Sequence, residues 1–373
     1  MAYVTSLIAA VPVPGGLWES FILALGNCVI NYGWTIILFT IIIKLILSPL
    51  DLYIKYASKK STLMQQKLQP RIAIIQKKYK NDQTKVTAQT QALYKSEHYN
   101  MLGSCLTLLL NLVVSMVIFL TIFTGLRVVS SYKMLDQYDK LQYVYYQKFD
   151  TTIGVDVNSD KRVELRNEFI KIETNKDIVN NATTLSEQEV KNEYKNIKDS
   201  WLWIGSIWRA DTNQSQIPNY KELGSVINAA KNDEYTKIYN NITETEYNQV
   251  MKSVVADNSR INGYFILVVL AGVLTFLSQW LSEKMSKSKT VSELTASTPQ
   301  PKTMMLVMKV LMPVMMVVFV WTSSAAFGLY VVSSSIISLI ISTLTTLIVN
   351  KMTKKKEEEV VEYLQKQLKK KVK

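Results

Sequence analysis

Few side chains in this chain are equipped for covalent or metal chemistry. Its 373 residues include one histidine, His98, and two cysteines, Cys28 and Cys105. These are too few for a closed zinc site, a disulfide framework or a histidine-based relay. No catalytic residue, metal or cofactor is expected, and the chain reads as a non-enzyme. The residue that stands out is Lys44, the one charge between Tyr32 and Leu50. Eleven helical steps of about 1.5 Å from Gly33 put it roughly 16 Å along a helix, near the middle of a hydrocarbon core about 30 Å thick. An ionisable group at that depth costs about 2.5–3.5 kcal/mol on insertion scales, so it must face water or a partner. Half a bilayer exceeds the reach of a snorkelling lysine, and no acid is expected in any span to pair with it. Lys44 therefore marks a wet, cationic cavity inside a membrane. Lys309, at the edge of its own apolar run, reads as an ordinary snorkelling lysine. Asn111, Ser115, Thr275, Gln279, Ser334 and Ser335 are candidate polar lining, and each serves equally well as a helix–helix hydrogen bond.

The elements that must carry these residues are apolar helices. Met101 to Leu126 is uncharged for 26 residues, Ile261 to Ser282 for 22 and Val310 to Asn350 for 41. A span needs about 20 residues, so the last run holds two spans, divided within Ser323-Ser324-Ala325-Ala326-Phe327-Gly328. The fold class is an all-α polytopic membrane protein with five transmembrane helices, at 32–54, 101–126, 261–282, 303–323 and 326–350. The charges set its orientation. Residues 44–100 carry 11 Lys/Arg against three acids, 283–309 carry five against two, and 351–373 carry nine against four. Residues 127–260 carry 18 against 20, and residues 1–32 hold only Glu19. The positive-inside rule then puts the hairpin region 55–100, the loop 283–302 and the tail 351–373 in the cytoplasm. The N-terminal segment 1–31 and the 127–260 insert lie outside.

Three soluble parts have their own patterns. Leu17, Phe21, Leu25 and Cys28 recur at helical spacing, which predicts an amphipathic helix over 16–28 on the outer membrane surface. Pro12, Pro14 and the missing basic start make 1–18 a poor signal peptide, so a precursor segment is open as a reading. Met64, Leu68, Ile72, Ile75 and Tyr79 form one stripe, Lys80 to Gln83 a turn, and Val86, Thr90, Leu93 and Tyr94 a second stripe. Together they predict a helical hairpin, kinked or broken at Pro70. The tail, from Lys354, Lys355 and Lys356 to Lys369, Lys370 and Lys371, reads as a basic helix that is solvated, bound to anionic lipid, or bound to nucleic-acid phosphates. The insert, with Trp201, Trp203 and Trp208 close together, predicts a partly helical domain with a modest core.

These residues carry a family resemblance. Asn31-Tyr32-Gly33-Trp34-Thr35-Ile36-Ile37 with Ile43-Lys44-Leu45-Ile46-Leu47-Ser48-Pro49-Leu50 resembles the first core span of the YidC/Oxa membrane protein insertases. Leu68-Gln69-Pro70 and Gln76-Lys77-Lys78-Tyr79-Lys80-Asn81-Asp82 resemble that family's cytoplasmic hairpin, and Asn100-Met101-Leu102-Gly103-Ser104-Cys105-Leu106 its entry into the second span. Leu270-Ala271-Gly272-Val273 with Thr275, Phe276 and Gln279 is similar to the third span, Met312-Pro313-Val314-Met315 to the fourth, and Gly328-Leu329-Tyr330 to the fifth. The resemblance covers about 15–126 and 261–350 in order. It departs where Lys44 stands for the usual Arg, where Val331 follows Tyr330, and in the length of the insert.

The resemblance implies a bacterial plasma-membrane insertase and chaperone, acting alone or with the Sec translocon, for which a monomer suffices. Its groove, with Lys44 and Tyr330 among the contacts, would receive polar segments of nascent membrane proteins and release their apolar helices into lipid. The basic cytoplasmic regions would hold ribosomal RNA or anionic lipids. A transporter of small solutes or anions using Lys44 as its site is the rival reading, although the internal repeats and second coupling charge usual for transporters are not evident. A mere anchor for the insert is a third reading, and it needs no lysine within a span.

Overall fold

The computed structural model describes residues 11–99, 101–286 and 302–372. Helices account for its named elements: α1 Leu17–Cys28, α2 Tyr32–Lys78, α3 Gln83–Ser96, α4 Met101–Thr152, α5 Arg162–Lys171, α6 Lys176–Ile197, α7 Tyr220–Ala230, α8 Asp233–Asn241, α9 Glu244–Asp257, α10 Ile266–Ser286, α11 Lys302–Thr322 and α12 Ala325–Val372. Among the described residues, Tyr32–Lys78, Val113–Thr152 and Ala325–Gln367 are long and apolar enough to cross a membrane, and Ile266–Leu281 and Val310–Thr322 are shorter apolar helices. Large apolar side chains such as Leu45, Ile46, Val117, Val273 and Leu344 point outward. Water would penalise such a surface, whereas hydrocarbon does not. The division between α11 and α12 falls at Ser323 and Ser324, inside the expected break. Residues 287–301 of the expected loop 283–302 and the side chains of Asn111, Lys309, Lys369, Lys370 and Lys371 lie outside the described residues, while 283–286 and Lys302 are helical.

Two compact units are present. One contains Thr40–Phe119, Gly272–Met315 and the chain from Ser333 onward. In it, α2 stays helical through Pro49 and Pro70, so of the kink or break expected at Pro70 the break does not occur. Asp82 caps α3 by accepting from the Lys85 amide at 3.0 Å, which ends the turn where the sequence placed it. Leu68 and Ile72 of the expected stripe are buried. The hairpin is closed by Tyr99, which takes a hydrogen bond from Gln65 at 2.7 Å and shares one with Ser61 at 2.9 Å. His98, at φ 52°, is the turn residue beside it. Helix α12 keeps one inward stripe from span to tail, through Ile341, Thr345, Val349, Thr353, Val360 and Leu364. Its far end packs on α2, with Leu63, Val360 and Leu364 in one cluster. Lys59 pairs with Glu357 at 3.5 Å, and Lys67 lies over the Tyr363 ring. The tail is therefore a docked amphipathic helix, and its charge is carried on the face turned away.

The other unit contains the chain up to Phe39, Leu120–Ala271 and Met316–Val332. Helix α1 forms over the expected residues, with Ile22 and Leu23 buried and Leu17 and Cys28 exposed. The Trp18 and Phe21 rings both pack edge-on against Phe39 of α2, and Leu17 is left outward, as a side chain facing lipid would be. The insert has a core of its own. Asp150 receives a bidentate Arg166 at 2.5 Å for each bond, under the Tyr146 ring, and Tyr138 stacks on Tyr247. Burying such a pair costs desolvation that only full hydrogen bonding repays.

The insert also grips helices outside it. Asn31 donates to the Ser200 carbonyl at 2.6 Å, and Trp34 meets Trp201 edge-on. An added Cβ at Gly33 would collide with the Trp201 indole, which gives that glycine a packing reason. The first amides of α12, Ala325 and Ala326, donate to the Arg209 and Ile207 carbonyls at 2.7 Å each. These are helix-end donors that need partners from elsewhere. Asp211 does the same for α10, whose Leu267 amide donates to its Oδ2 at 3.0 Å. A side chain at Gly263 would fall on Asp211 Oδ1.

Burial pushes the Asp211 carboxyl up to about 6, with the α10 amides pulling the other way. Its reference value is 3.8, so the folded protein holds a proton that the unfolded chain releases between these values. The associated stability is present below about pH 4, declines as pH rises, and is lost above about pH 6. Asp211→Asn keeps an acceptor for Leu267 without the charge. Thermal unfolding in detergent from pH 4 to 8 should show a decline in the wild type that the variant lacks, with the gap widest above pH 6.

Candidate functional site

Lys44 lies on α2 one residue after buried Ile43, and the helix stays regular through it. Among the described residues its ammonium makes neither a hydrogen bond nor an ion pair. The expectation that no acid lies in a span is corrected by Asp51, which falls inside the 32–54 segment. Asp51 is close enough to attract both Lys44 and Lys55. Positions 44, 51 and 55 fall within about 40° of one another at 3.6 residues per turn, so the three charges share one face of α2. Asp51 falls among the charges of 44–100, and only its spacing of seven from Lys44 and four from Lys55 signals that it shares their face.

The three charges are used differently. Lys55 reaches α12, where its Nζ donates to the Ser342 carbonyl at 2.9 Å, Ser342 Oγ at 2.7 Å, Thr345 Oγ1 at 2.9 Å and Thr346 Oγ1 at 3.4 Å. Four oxygens surround an ammonium with three protons, so Lys55 is fully spent without a carboxylate. The hydroxyls are held in place because Thr345 and Thr346 also donate back to the Ile341 and Ser342 carbonyls. Asp51, half-buried, accepts no hydrogen bond and forms no ion pair within 4 Å among the described residues. The face thus presents a free cation and, two turns on, a free anion.

The other expected residues are spread more widely. Ser115 is exposed, and Thr275, Gln279, Ser334 and Ser335 are half-buried, all in the unit that contains Lys44. None of them bonds to the Lys44 ammonium. Tyr330 is buried against Phe327 and belongs to the other unit. In the tail, Lys354, Lys355 and Lys356 are exposed. Among the described residues no group of His, Cys, Asp and Glu could hold a metal ion.

Several apolar helices, a charge within one of them and no strand among the described residues define an all-α, multi-pass membrane protein. The family model described as 60Kd inner membrane protein matches residues 24–174 and 178–357. The chain belongs to this family, the YidC/Oxa1 proteins. Three curated relatives share the name Membrane protein insertase YidC. The Clostridium tetani protein is 48% identical over 80 residues, 21% of this chain and 34% of that protein. The Cupriavidus taiwanensis protein is 36% identical over 97 residues, 26% and 17% of the two chains. The Helicobacter pylori protein is 37% identical over 101 residues, 27% and 18%. Each alignment spans well under half of its relative, and no solved structure matches the chain.

Lys55→Met would leave the acceptors on Ser342, Thr345 and Thr346 without their donor. A hydrogen bond involving a charged group is worth about 1.5–3 kcal/mol. Chemical unfolding in detergent should show a loss in that range for Lys55→Met and a smaller one for Thr345→Val. An unchanged midpoint in both would mean the contact adds nothing to stability.

Proposed function

We propose that this chain is a membrane protein insertase of the bacterial plasma membrane, with five spans, its N-terminus and insert outside, and its hairpin and tail in the cytoplasm. One observation carries the reading: Lys44 is an ammonium inside an apolar helix with its protons unspent. Such a group persists only where water or a transient ligand can reach it. A hydrated, acidic segment of a nascent protein is a ligand of that kind. Attraction to Lys44 offsets part of its dehydration while the attached apolar helix passes into lipid. The step lowers a transfer barrier and needs no bond to be made or broken. The half-buried Thr275, Gln279, Ser334 and Ser335 would supply hydrogen bonds without binding tightly enough to hold the client. The family membership and the names of its relatives support this reading.

The tail supports a docking role at the cytoplasmic face. Its apolar stripe is occupied by α2, so Lys354, Lys355 and Lys356 are left outward. Ribosomal RNA phosphates or anionic lipid headgroups fit that face equally, and the Sec translocon remains a candidate partner through the family likeness alone. A solute or anion transporter would use the same lysine, and client insertion against anion flux separates the two.

In reconstituted vesicles, Lys44→Arg should retain insertion of a single-span substrate with an acidic external tail. Lys44→Glu should slow it at least tenfold, a barrier change of about 1.4 kcal/mol, as read by protease protection. Equal rates for wild type and Lys44→Glu would sink the proposal, and Lys44-dependent anion flux without insertion would favour the transporter.

Truncating the tail would also strip Val360 and Leu364 from their packing, so charge neutralisation is the cleaner experiment. Replacing Lys354, Lys355, Lys356, Lys369, Lys370 and Lys371 by Gln should weaken co-sedimentation with ribosomes and flatten its salt dependence. Unchanged binding across a salt series would exclude the tail as the docking element.

A further inference from the structure

Asp51 has no role in the reading above, and its surroundings are unusual. It is a half-buried carboxylate within an apolar helix, yet no hydrogen bond or ion pair within 4 Å engages it among the described residues. Its neighbour one turn away, Lys55, gives its protons to Ser342, Thr345 and Thr346 of α12. That arrangement keeps a cation nearby for long-range attraction while leaving the Asp51 oxygens uncovered. Lys44, on the same face, lies about 10.5 Å away along the axis at 1.5 Å per residue, and no ion pair within 4 Å joins the two. A bare carboxylate in such a setting is costly unless a cation visits it.

We infer that Asp51 is a binding site for the basic residues that flank the cytoplasmic end of a client's apolar helix. The inference rests on the insertase reading and names a second recognition element on the same helix face. Its chemistry follows from charge order. With the N-terminus outside, Lys44 lies deeper and Asp51 nearer the cytoplasm. A correctly oriented client presents its translocated segment to Lys44 and retains Lys or Arg on the cytoplasmic side, as the positive-inside rule describes. The two free charges of α2 match that polarity. A reversed client would bring its basic flank toward Lys44 and its acidic segment toward Asp51, and both contacts would repel. The face therefore reads client orientation as well as client charge.

The experiment uses the full chain in vesicles and two single-span substrates. Both carry the same acidic external tail, and their cytoplasmic flanks are either three Lys or three Gln. Protease protection gives the yield in the correct orientation. For Asp51→Asn, the ratio of Lys-flanked to Gln-flanked yield should fall about tenfold, as expected for a charge-assisted contact. Asp51→Glu should restore most of the ratio, and Asp51→Lys should lower it further. Matched amounts of each variant in the vesicles exclude a folding defect. If Asp51→Asn lowers both yields equally, Asp51 only supports Lys44 and the inference is overturned. Lys44→Glu, run alongside, separates the two levels. If it blocks insertion while Asp51→Asn leaves the ratio unchanged, the inference alone falls. If both variants behave as wild type, the insertase reading falls with it.

Discussion

A charge placed inside an apolar helix has to be solvated by something, and α2 meets this constraint three times on one face. Lys55 is solvated by protein, through the hydroxyls and one carbonyl of α12. Lys44 and Asp51 have no such partners among the described residues, so their solvation has to come from water or from a visiting molecule. The contrast between a spent and an unspent lysine, eleven residues apart, separates a contact that stabilises the fold from groups free to bind. The surrounding helix faces are apolar and outward, which confines that solvation to the inner face.

Helix ends impose a similar requirement on the unit that contains the insert. The first amides of α10 and α12 lack partners within their own helices, and the insert supplies them through Asp211 Oδ2 and the carbonyls of Ile207 and Arg209. Helix α4 runs without a break from its apolar run into the insert. The insert is therefore built into this unit by hydrogen bonds whose loss would expose helix-end donors. Excising it for a short linker would disturb those helix ends, so loss of function on excision would not by itself show that the insert handles clients.

In the other unit, α2 and α12 lie alongside each other in the same direction, by polar contacts near Lys55 and by apolar packing near Leu63. A long helix is stiff, so a contact at either place constrains the other. The docked tail extends this pairing beyond the apolar run. Its exposed lysines consequently sit on a rigid support rather than on a free chain, which would reduce the entropy lost on binding the phosphate surface proposed for them.

The sequence alone determined the all-helical class, the hairpin turn at Asp82 and the break at Ser323-Ser324. Each depends on a local period, a run length or a capping residue, which neighbouring residues encode. The helical course of α2 through Pro70 and the packing of Trp18 and Phe21 on Phe39 are not specified by any such local signal. The free state of Asp51, the four oxygens around Lys55, the docked tail and the insert's grip on α10 and α12 were decided only by tertiary structure. Serine and threonine are common in apolar helices, and backbone carbonyls have no sequence signature at all. A partner of that kind is specified by where two distant segments meet, and no spacing within either segment records it.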